Sequence, residues 1–121
     1  QSAYSNFVSK TYHQDSAIQL VQDWLALNYH DKILVSDLAD RATLTERTFK
    51  RRFKKATGES AIAYLQNLRI EGAKKLLEGS ATSVEAITHK VGYEDVSSFI
   101  RLFKKQTGLS PSAYRAKFSR C

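Results

Sequence analysis

The sequence predicts an all-α chain, and three observations carry that prediction. No run alternates apolar and polar residues as a half-buried strand would. Apolar residues instead recur every three to four positions, in stretches opened by Ser, Thr or Asp and closed by Gly. Proline occurs once, at Pro111, and glycine only five times, so little interrupts the helices. At 121 residues the chain is long enough for one or two small domains with little core to spare. The expected architecture is seven helices forming two helix-turn-helix subdomains joined by a long linker helix. The expected boundaries are a linker or tail over 1–14, a first subdomain over 15–59, the linker helix over 60–79 and a second subdomain over 80–121.

Residues 1–14 show no periodicity, and Tyr4, Phe7 and Tyr12 within them have no assigned docking place. Helix α1 is expected from Asp15 or Ser16 to Tyr29. Ala17, Ile18, Leu20, Val21, Trp24, Leu25 and Leu27 form its wide apolar face, and Trp24 reads as a core anchor rather than a platform for a stacked base. Helix α2 is expected over Val35–Arg41 with Leu38 and Ala39 inward, Ser36 and Asp37 being its nearest capping candidates. Ala42-Thr43-Leu44 makes the turn that follows.

Helix α3, between Thr45 and Gly58, is the most informative stretch. Thr45 is its N-cap, Glu46 sits where the helix dipole favours a negative charge, and Gly58 is its left-handed stop. Phe49 and Phe53, four apart, share a buried edge. Arg47, Lys50, Arg51, Arg52, Lys54 and Lys55 fill the rest, with only Glu46 opposing them. Either the face is solvated or something anionic receives it.

Helix α4, capped by Ser60 and running from Ala61 to Glu78, carries Ala61, Tyr64, Leu65, Leu68, Gly72, Leu76 and Leu77 at helical spacing, and Gly79 is its expected stop. Gly72 costs about 1 kcal/mol relative to Ala inside a helix, which suggests close packing there. Ser83 caps α5, with Val84, Ile87 and Val91 inward and Gly92 in the turn. Asp95 caps α6, from Val96 to Gln106, and Gly108 ends it. Ser110-Pro111 opens α7, which runs to Phe118.

The chain repeats itself. Shifted by fifty residues, Phe49, Arg51, Phe53, Lys54, Lys55, Thr57, Gly58, Ser60, Ala63 and Tyr64 fall on Phe99, Arg101, Phe103, Lys104, Lys105, Thr107, Gly108, Ser110, Ala113 and Tyr114. Upstream, with a shift of forty-nine, Val35, Leu38, Ala42 and Leu44 fall on Val84, Ile87, Val91 and Tyr93. The shared unit is a short helix, a tight turn and a second helix with a Phe-x-x-x-Phe edge, then Thr-Gly. That is the outline of a helix-turn-helix, whose second helix lies in the DNA major groove. At 1.5 Å per residue α4 spans roughly 27 Å, close to the roughly 34 Å of one DNA turn. Two recognition helices so spaced would enter successive major-groove segments.

Charge agrees. The net charge is +7, divided as −3 through residue 40 and +10 from residue 41 onward. Such asymmetry points to an anionic partner, most often nucleic acid. No apolar run is long enough to span a membrane, and no signal peptide is visible. Cys121 is the only cysteine, so no disulfide framework exists. The chain has no methionine and begins at Gln1, and a further domain upstream is expected.

Val91-Gly92-Tyr93-Glu94-Asp95, Ser98-Phe99, Arg101-Leu102-Phe103-Lys104-Lys105, Thr107-Gly108-Leu109-Ser110-Pro111 and Tyr114-Arg115, with Arg69…Ala73…Leu76-Leu77 upstream, resemble the C-terminal DNA-binding domain of the AraC/XylS family of bacterial transcription regulators. The resemblance covers Ala17 to Phe118. Gly92-Tyr93-Glu94-Asp95 further resembles the branch with a ThiJ/PfpI-like upstream domain. What it implies is a cytoplasmic regulator that binds double-stranded operator or promoter DNA and works with RNA polymerase, oligomerising, if at all, through an N-terminal domain. It implies base reading by Arg47, Lys50 and Arg51 in α3 and by Val96, Ser97, Ser98, Ile100 and Arg101 in α6. Arg suits guanine O6 and N7, Val96 and Ile100 suit a thymine methyl, and Ser97 or Ser98 suits a base or a phosphate. Thr45, Arg52, Lys54, Lys55, Lys104 and Lys105 are phosphate candidates, the cations alternatively only solvating the surface. Two positions depart from the family pattern: Leu34 where a capping Ser is common, and Val96 where Pro often opens α6.

Three other readings compete with this one. Catalysis is disfavoured because His13, His30 and His89 are scattered, no metal-ligand spacing or glycine-rich phosphate loop exists, and Cys121 is terminal; no cofactor or metal is expected. A non-specific or architectural nucleic-acid-binding protein would use the basic faces without reading bases, yet the matched Arg51 and Arg101 favour reading. A helical protein-interaction module would show no DNA affinity at modest salt.

Overall fold

A computed structural model describes residues 14–120. Among them are seven α-helices and no strand: α1 Ser16–Asn28, α2 Val35–Arg41, α3 Glu46–Thr57, α4 Ala61–Gly79, α5 Val84–Lys90, α6 Val96–Thr107 and α7 Pro111–Phe118. Tyr4, Phe7, Tyr12, His13 and Cys121 lie outside the described residues. The chain divides into two compact units, one through Asn67 and one from Leu68. The division falls inside α4. Its first turns bury Ala61, Tyr64 and Leu65 in the first unit, and its later turns bury Ile70, Ala73 and Leu77 in the second. The stretch expected as a separate linker is thus shared between the two cores.

In the first unit α1 opens on Asp15, which accepts from the Ile18 N–H at 3.3 Å. It buries Ile18, Val21, Gln22 and Leu25, a single stripe at i, i+3, i+4 and i+7. Leu20 and Leu27, expected inward, are 65% and 78% exposed, because a 3.6-residue turn carries them to the far side. Trp24 is half-buried rather than a core anchor, and the Arg41 guanidinium lies 3.8 Å from its ring centroid. Gln22 takes the core place that apolar counting overlooked. Its amide donates to the Tyr64 hydroxyl at 3.1 Å, the kind of partner a buried polar side chain needs.

Leu34 offers α2 no capping oxygen, and Asp37 supplies half of a capping box by accepting from the Leu34 N–H at 3.1 Å. The following turn passes through Thr43 at φ 59°, a left-handed conformation that β-branched residues rarely adopt. Thr45 caps α3 by accepting from the Thr48 N–H at 3.3 Å, and Gly58 closes it at φ 82°. Phe49 and Phe53 are fully buried with centroids 5.6 Å apart, and Tyr64 meets Phe53 edge-on at 5.3 Å.

The second unit repeats this frame. Phe99 and Phe103 are fully buried 5.8 Å apart, and Tyr114 meets Phe103 edge-on at 5.4 Å. Ser83, Asp95 and Ser110 cap α5, α6 and α7, each accepting from the N–H three residues on. The Thr-Gly pairs have a local explanation. Thr57 and Thr107 each place a hydroxyl 2.8–2.9 Å from the carbonyl of the Phe one turn back, and each accepts at 3.2 Å from the N–H two residues ahead. Gly58 and Gly108 then turn left-handed between those bonds.

Gly79 differs from its expectation. It belongs to the last turn of α4 and is not left-handed. Arg115 closes that end instead, donating to the carbonyls of Leu77 at 3.2 Å and Ser80 at 3.1 Å. Arg69 is nearly buried with its guanidinium 5.1 Å from the Tyr93 ring centroid. A Cβ on Gly92 would stand 2.8 Å from Arg69 Nε, so the turn at φ 106° has two reasons to hold glycine. Burial lowers the Arg69 pKa from its ordinary value, while the adjacent Tyr93 opposes the shift.

Candidate nucleic-acid interface

Helix α3 buries Phe49, Phe53 and Thr57 and turns Arg47, Lys50, Arg51, Lys54 and Lys55 to the surface. Glu46, Arg47, Lys50, Arg51 and Lys54 line one shallow groove along that face. Lys50 meets Glu46 at 3.3 Å, but both side chains are at least half exposed, so the pair is weak and easily exchanged for another anion. Arg52 is placed differently. It donates to both carboxylate oxygens of Asp15, at 3.0 and 2.7 Å, and ties α3 to the cap of α1. That hydrogen bond raises the Arg52 pKa above its ordinary value. Among the described residues, Arg52 is the one cation of α3 engaged in a bidentate pair. Thr45 is exposed, and its cap uses only the hydroxyl oxygen as acceptor, leaving its proton for an outside acceptor.

Helix α6 buries Phe99 and Phe103 and exposes Ser97, Ser98, Arg101, Lys104 and Lys105. Val96 and Ile100 are half-buried at the flank of that face. By the fifty-residue repeat they occupy the positions of Glu46 and Lys50, so an ion pair in one helix becomes an apolar pair in the other. Asp95 accepts from the Ser98 N–H at 2.9 Å and also from the Ser98 hydroxyl. Arg101 donates to the same Ser98 oxygen at 3.3 Å. The Ser98 bonds hold the Asp95 carboxyl below the usual carboxylate range, with Arg101 adding to the effect.

In the last turn of α5, His89 is exposed and its Nδ1 lies 3.0 Å from the Tyr93 carbonyl oxygen, so Nδ1 carries the hydrogen of that bond. No group of three or more potential metal ligands occurs among the described residues, and no helix among them is long and apolar enough to cross a membrane. Sequence reasoning missed Asp15 as the partner of Arg52 and Asp95 as the partner of the Ser98 side chain. Asp95 read only as a helix cap and Asp15 only as a possible first residue of α1, and place at a helix start was the sole signal either gave.

Two small helical units, each presenting a polar or basic helix on a Phe-x-x-x-Phe edge, define a double helix-turn-helix domain. Residues 38–117 match the family model described as a helix-turn-helix domain. The chain is 41% identical over 88 residues to the MmsAB operon regulatory protein of Pseudomonas aeruginosa, covering 73% of this chain and 29% of that protein. It is 35% identical over 104 residues to the HTH-type transcriptional activator RhaS of Pectobacterium carotovorum, covering 85% and 37%. The chain spans about a third of the length of the curated relatives it matches. Among solved structures it is similar to the DNA-binding domain of AdpA in complex with a target DNA, with a TM-score of 0.81 at 35% identity over 84% of this chain and 91% of that one. The C-terminal domain of the response regulator yesN from Fusobacterium nucleatum gives a TM-score of 0.79 at 33% identity, covering 84% and 99%. The chain belongs to the AraC/XylS family of helix-turn-helix DNA-binding domains.

Proposed function

We propose that this chain binds double-stranded DNA sequence-specifically to regulate transcription, with α3 and α6 each entering a major-groove segment and the two segments successive along the duplex. The observation that carries the reading is the exposed face of α3, where Arg47, Arg51 and Lys54 stand beside one another while Phe49 and Phe53 anchor the helix from behind. A rigid helix with a fixed register is what base reading needs, whereas charge alone suffices for phosphate binding. Arg47, Lys50 and Arg51 read bases in the first segment. Val96, Ser97, Ser98, Ile100 and Arg101 form the reading face for the second. Thr45, Lys54, Lys55, Lys104 and Lys105 take phosphates. Arg52 commits two of its five N–H donors to Asp15, so it serves first to hold α3 in place and can offer a phosphate only the rest. The same reading gives the chain no catalytic role, a bacterial cytoplasmic setting and RNA polymerase as a partner, with any oligomerisation in an N-terminal domain.

The test is selection of duplexes from a random pool at fixed salt, by the chain and by two variants. Enrichment of two short boxes about one helical turn apart is expected. Arg51→Ala should relax one base step, by about 1–3 kcal/mol of discrimination, while Lys54→Ala weakens all sequences alike and lowers the salt slope by about one. Equal losses on selected and random DNA for both variants would point to an architectural binder instead.

A further inference from the structure

The one polar cluster on the α6 face with a fixed internal arrangement is Asp95–Ser98–Arg101. Asp95 accepts from Ser98 twice, through the backbone N–H at 2.9 Å and through the hydroxyl. An ionised carboxylate has no proton to give, so the hydrogen between the two side chains belongs to Ser98. The Ser98 oxygen also receives an N–H of Arg101 at 3.3 Å, and a guanidinium is only ever a donor. A hydroxyl has one donor and two acceptor sites. On Ser98 the donor is committed to Asp95, one acceptor site faces Arg101, and one acceptor site is open. Ser98 and Asp95 are both exposed, so the open site is within reach of a partner from outside.

Resting on the DNA-reading function proposed above, we propose that Asp95 is a specificity-determining residue that fixes Ser98 as a pure hydrogen-bond acceptor, so that Ser98 selects an amino-bearing base, adenine or cytosine, on one strand. In the major groove the available donors are adenine N6 and cytosine N4, while guanine O6 and N7 and thymine O4 are acceptors. Phosphate oxygens are acceptors too, so Ser98 so held does not bond the backbone. Each base pair carries its amino group on one strand, so the preference reads as A or C against G or T at a single position. The first unit lacks the device. Its equivalent cap is the neutral Thr45, which accepts from the Thr48 N–H, and among the described residues no carboxylate holds the Thr48 hydroxyl.

Selection from a random pool tests this with four proteins: the chain itself, Ser98→Ala, Arg101→Ala and Asp95→Thr. Asp95→Thr imports the cap that α3 already uses, and circular dichroism with thermal melting confirms that it folds. Ser98→Ala should blur one column, and in the parent chain that column should favour A or C over G or T by about tenfold, the scale of one unmet buried hydrogen bond. In Asp95→Thr the same preference should fall at least about fivefold as the freed hydroxyl donates to G or T. A parent column rich in G or T, an Asp95→Thr column unchanged in its A or C preference, or a Ser98→Ala variant that alters no column would each overturn the proposal. If Arg101→Ala blurs a column while Ser98→Ala blurs none, this proposal falls while base reading by α6 stands. If no protein enriches any column, the base-reading function falls and this proposal with it.

Discussion

The two units share an aromatic frame to within a few tenths of an ångström, and on their exposed recognition faces only Arg51, Lys54 and Lys55 recur, as Arg101, Lys104 and Lys105. Phe49, Phe53 and Tyr64 sit with centroids 5.6 and 5.3 Å apart, and Phe99, Phe103 and Tyr114 with centroids 5.8 and 5.4 Å apart. Behind the frame the partners already diverge. The Tyr64 hydroxyl accepts from Gln22, whereas the Tyr114 hydroxyl donates to the Glu78 carboxylate. Burial first, then Glu78, pushes the Tyr114 phenol up. At the turn, Thr43 stands where Gly92 stands in the second unit. At the cap, neutral Thr45 stands opposite ionised Asp95. On the face, Arg47, Lys50, Arg51, Lys54 and Lys55 in α3 compare with Arg101, Lys104 and Lys105 in α6. The frame is the part that packing constrains, because a displaced ring leaves a void. The face is free to specialise, toward charge in the first unit and toward fixed hydrogen-bond polarity in the second.

The largest test of that comparison is Phe53→Ala beside Phe103→Ala. Each should cost about 3–5 kcal/mol, since a fully buried ring leaves both lost contacts and a cavity. Hydrogen exchange should show protection lost mainly in the unit that carries the substitution. Global loss from either variant would mean that the two frames unfold as one. A smaller and asymmetric effect is expected at the turns. Gly92→Ala should destabilise by about 2 kcal/mol, combining the left-handed cost of an L residue with displacement of Arg69 from Tyr93. Thr43→Gly should have the opposite sign. It relieves a similar left-handed cost but adds unfolded-state freedom, for a net gain of about 0.5 kcal/mol. Urea denaturation reads both, and a stabilising Gly92→Ala would remove Arg69 from its place under the turn.

How much of this was legible in the sequence follows from what each residue type signals alone. Helix starts were legible because Thr45, Ser60, Ser83, Asp95 and Ser110 cap by local chemistry that needs no tertiary contact. The frame was legible because it occurs twice. The α1 core was only partly legible. Apolar counting placed Leu20 and Leu27 inward and passed over Gln22, whose burial depends on Tyr64, forty-two residues away. For the same reason the roles of Asp15 and Arg69 were invisible, since each is defined by a partner distant in sequence. At the interface, the exposed basic face of α3 was legible from charge and period. That Arg52 is tied down and that Val96 and Ile100 lie at the flank of α6 depends on how each helix is rolled onto its core, which spacing fixes only to within a residue.

The smallest expected effect separates the two caps by pH. Asp95 is ionised in the fold and its pKa is held low, first by the Ser98 side chain and then by the Ser98 N–H. Its unfolded value is near the ordinary carboxylate value of about 3.9. Between the folded and unfolded values the unfolded chain binds the proton more readily, so falling pH favours unfolding. The contribution is therefore fully present above the unfolded value and is lost as pH falls through the folded one. Asp95→Asn keeps a good capping side chain but removes that charge-dependent part. The difference in melting temperature between the parent chain and Asp95→Asn should shrink as pH is lowered from about 5 toward 2. Thr45 does not titrate, so the difference between the parent chain and Thr45→Ala should stay flat over the same range. Flat behaviour for both variants would mean that the Asp95 carboxylate caps α6 no differently from a neutral oxygen, and the contrast between the two caps would reduce to geometry alone.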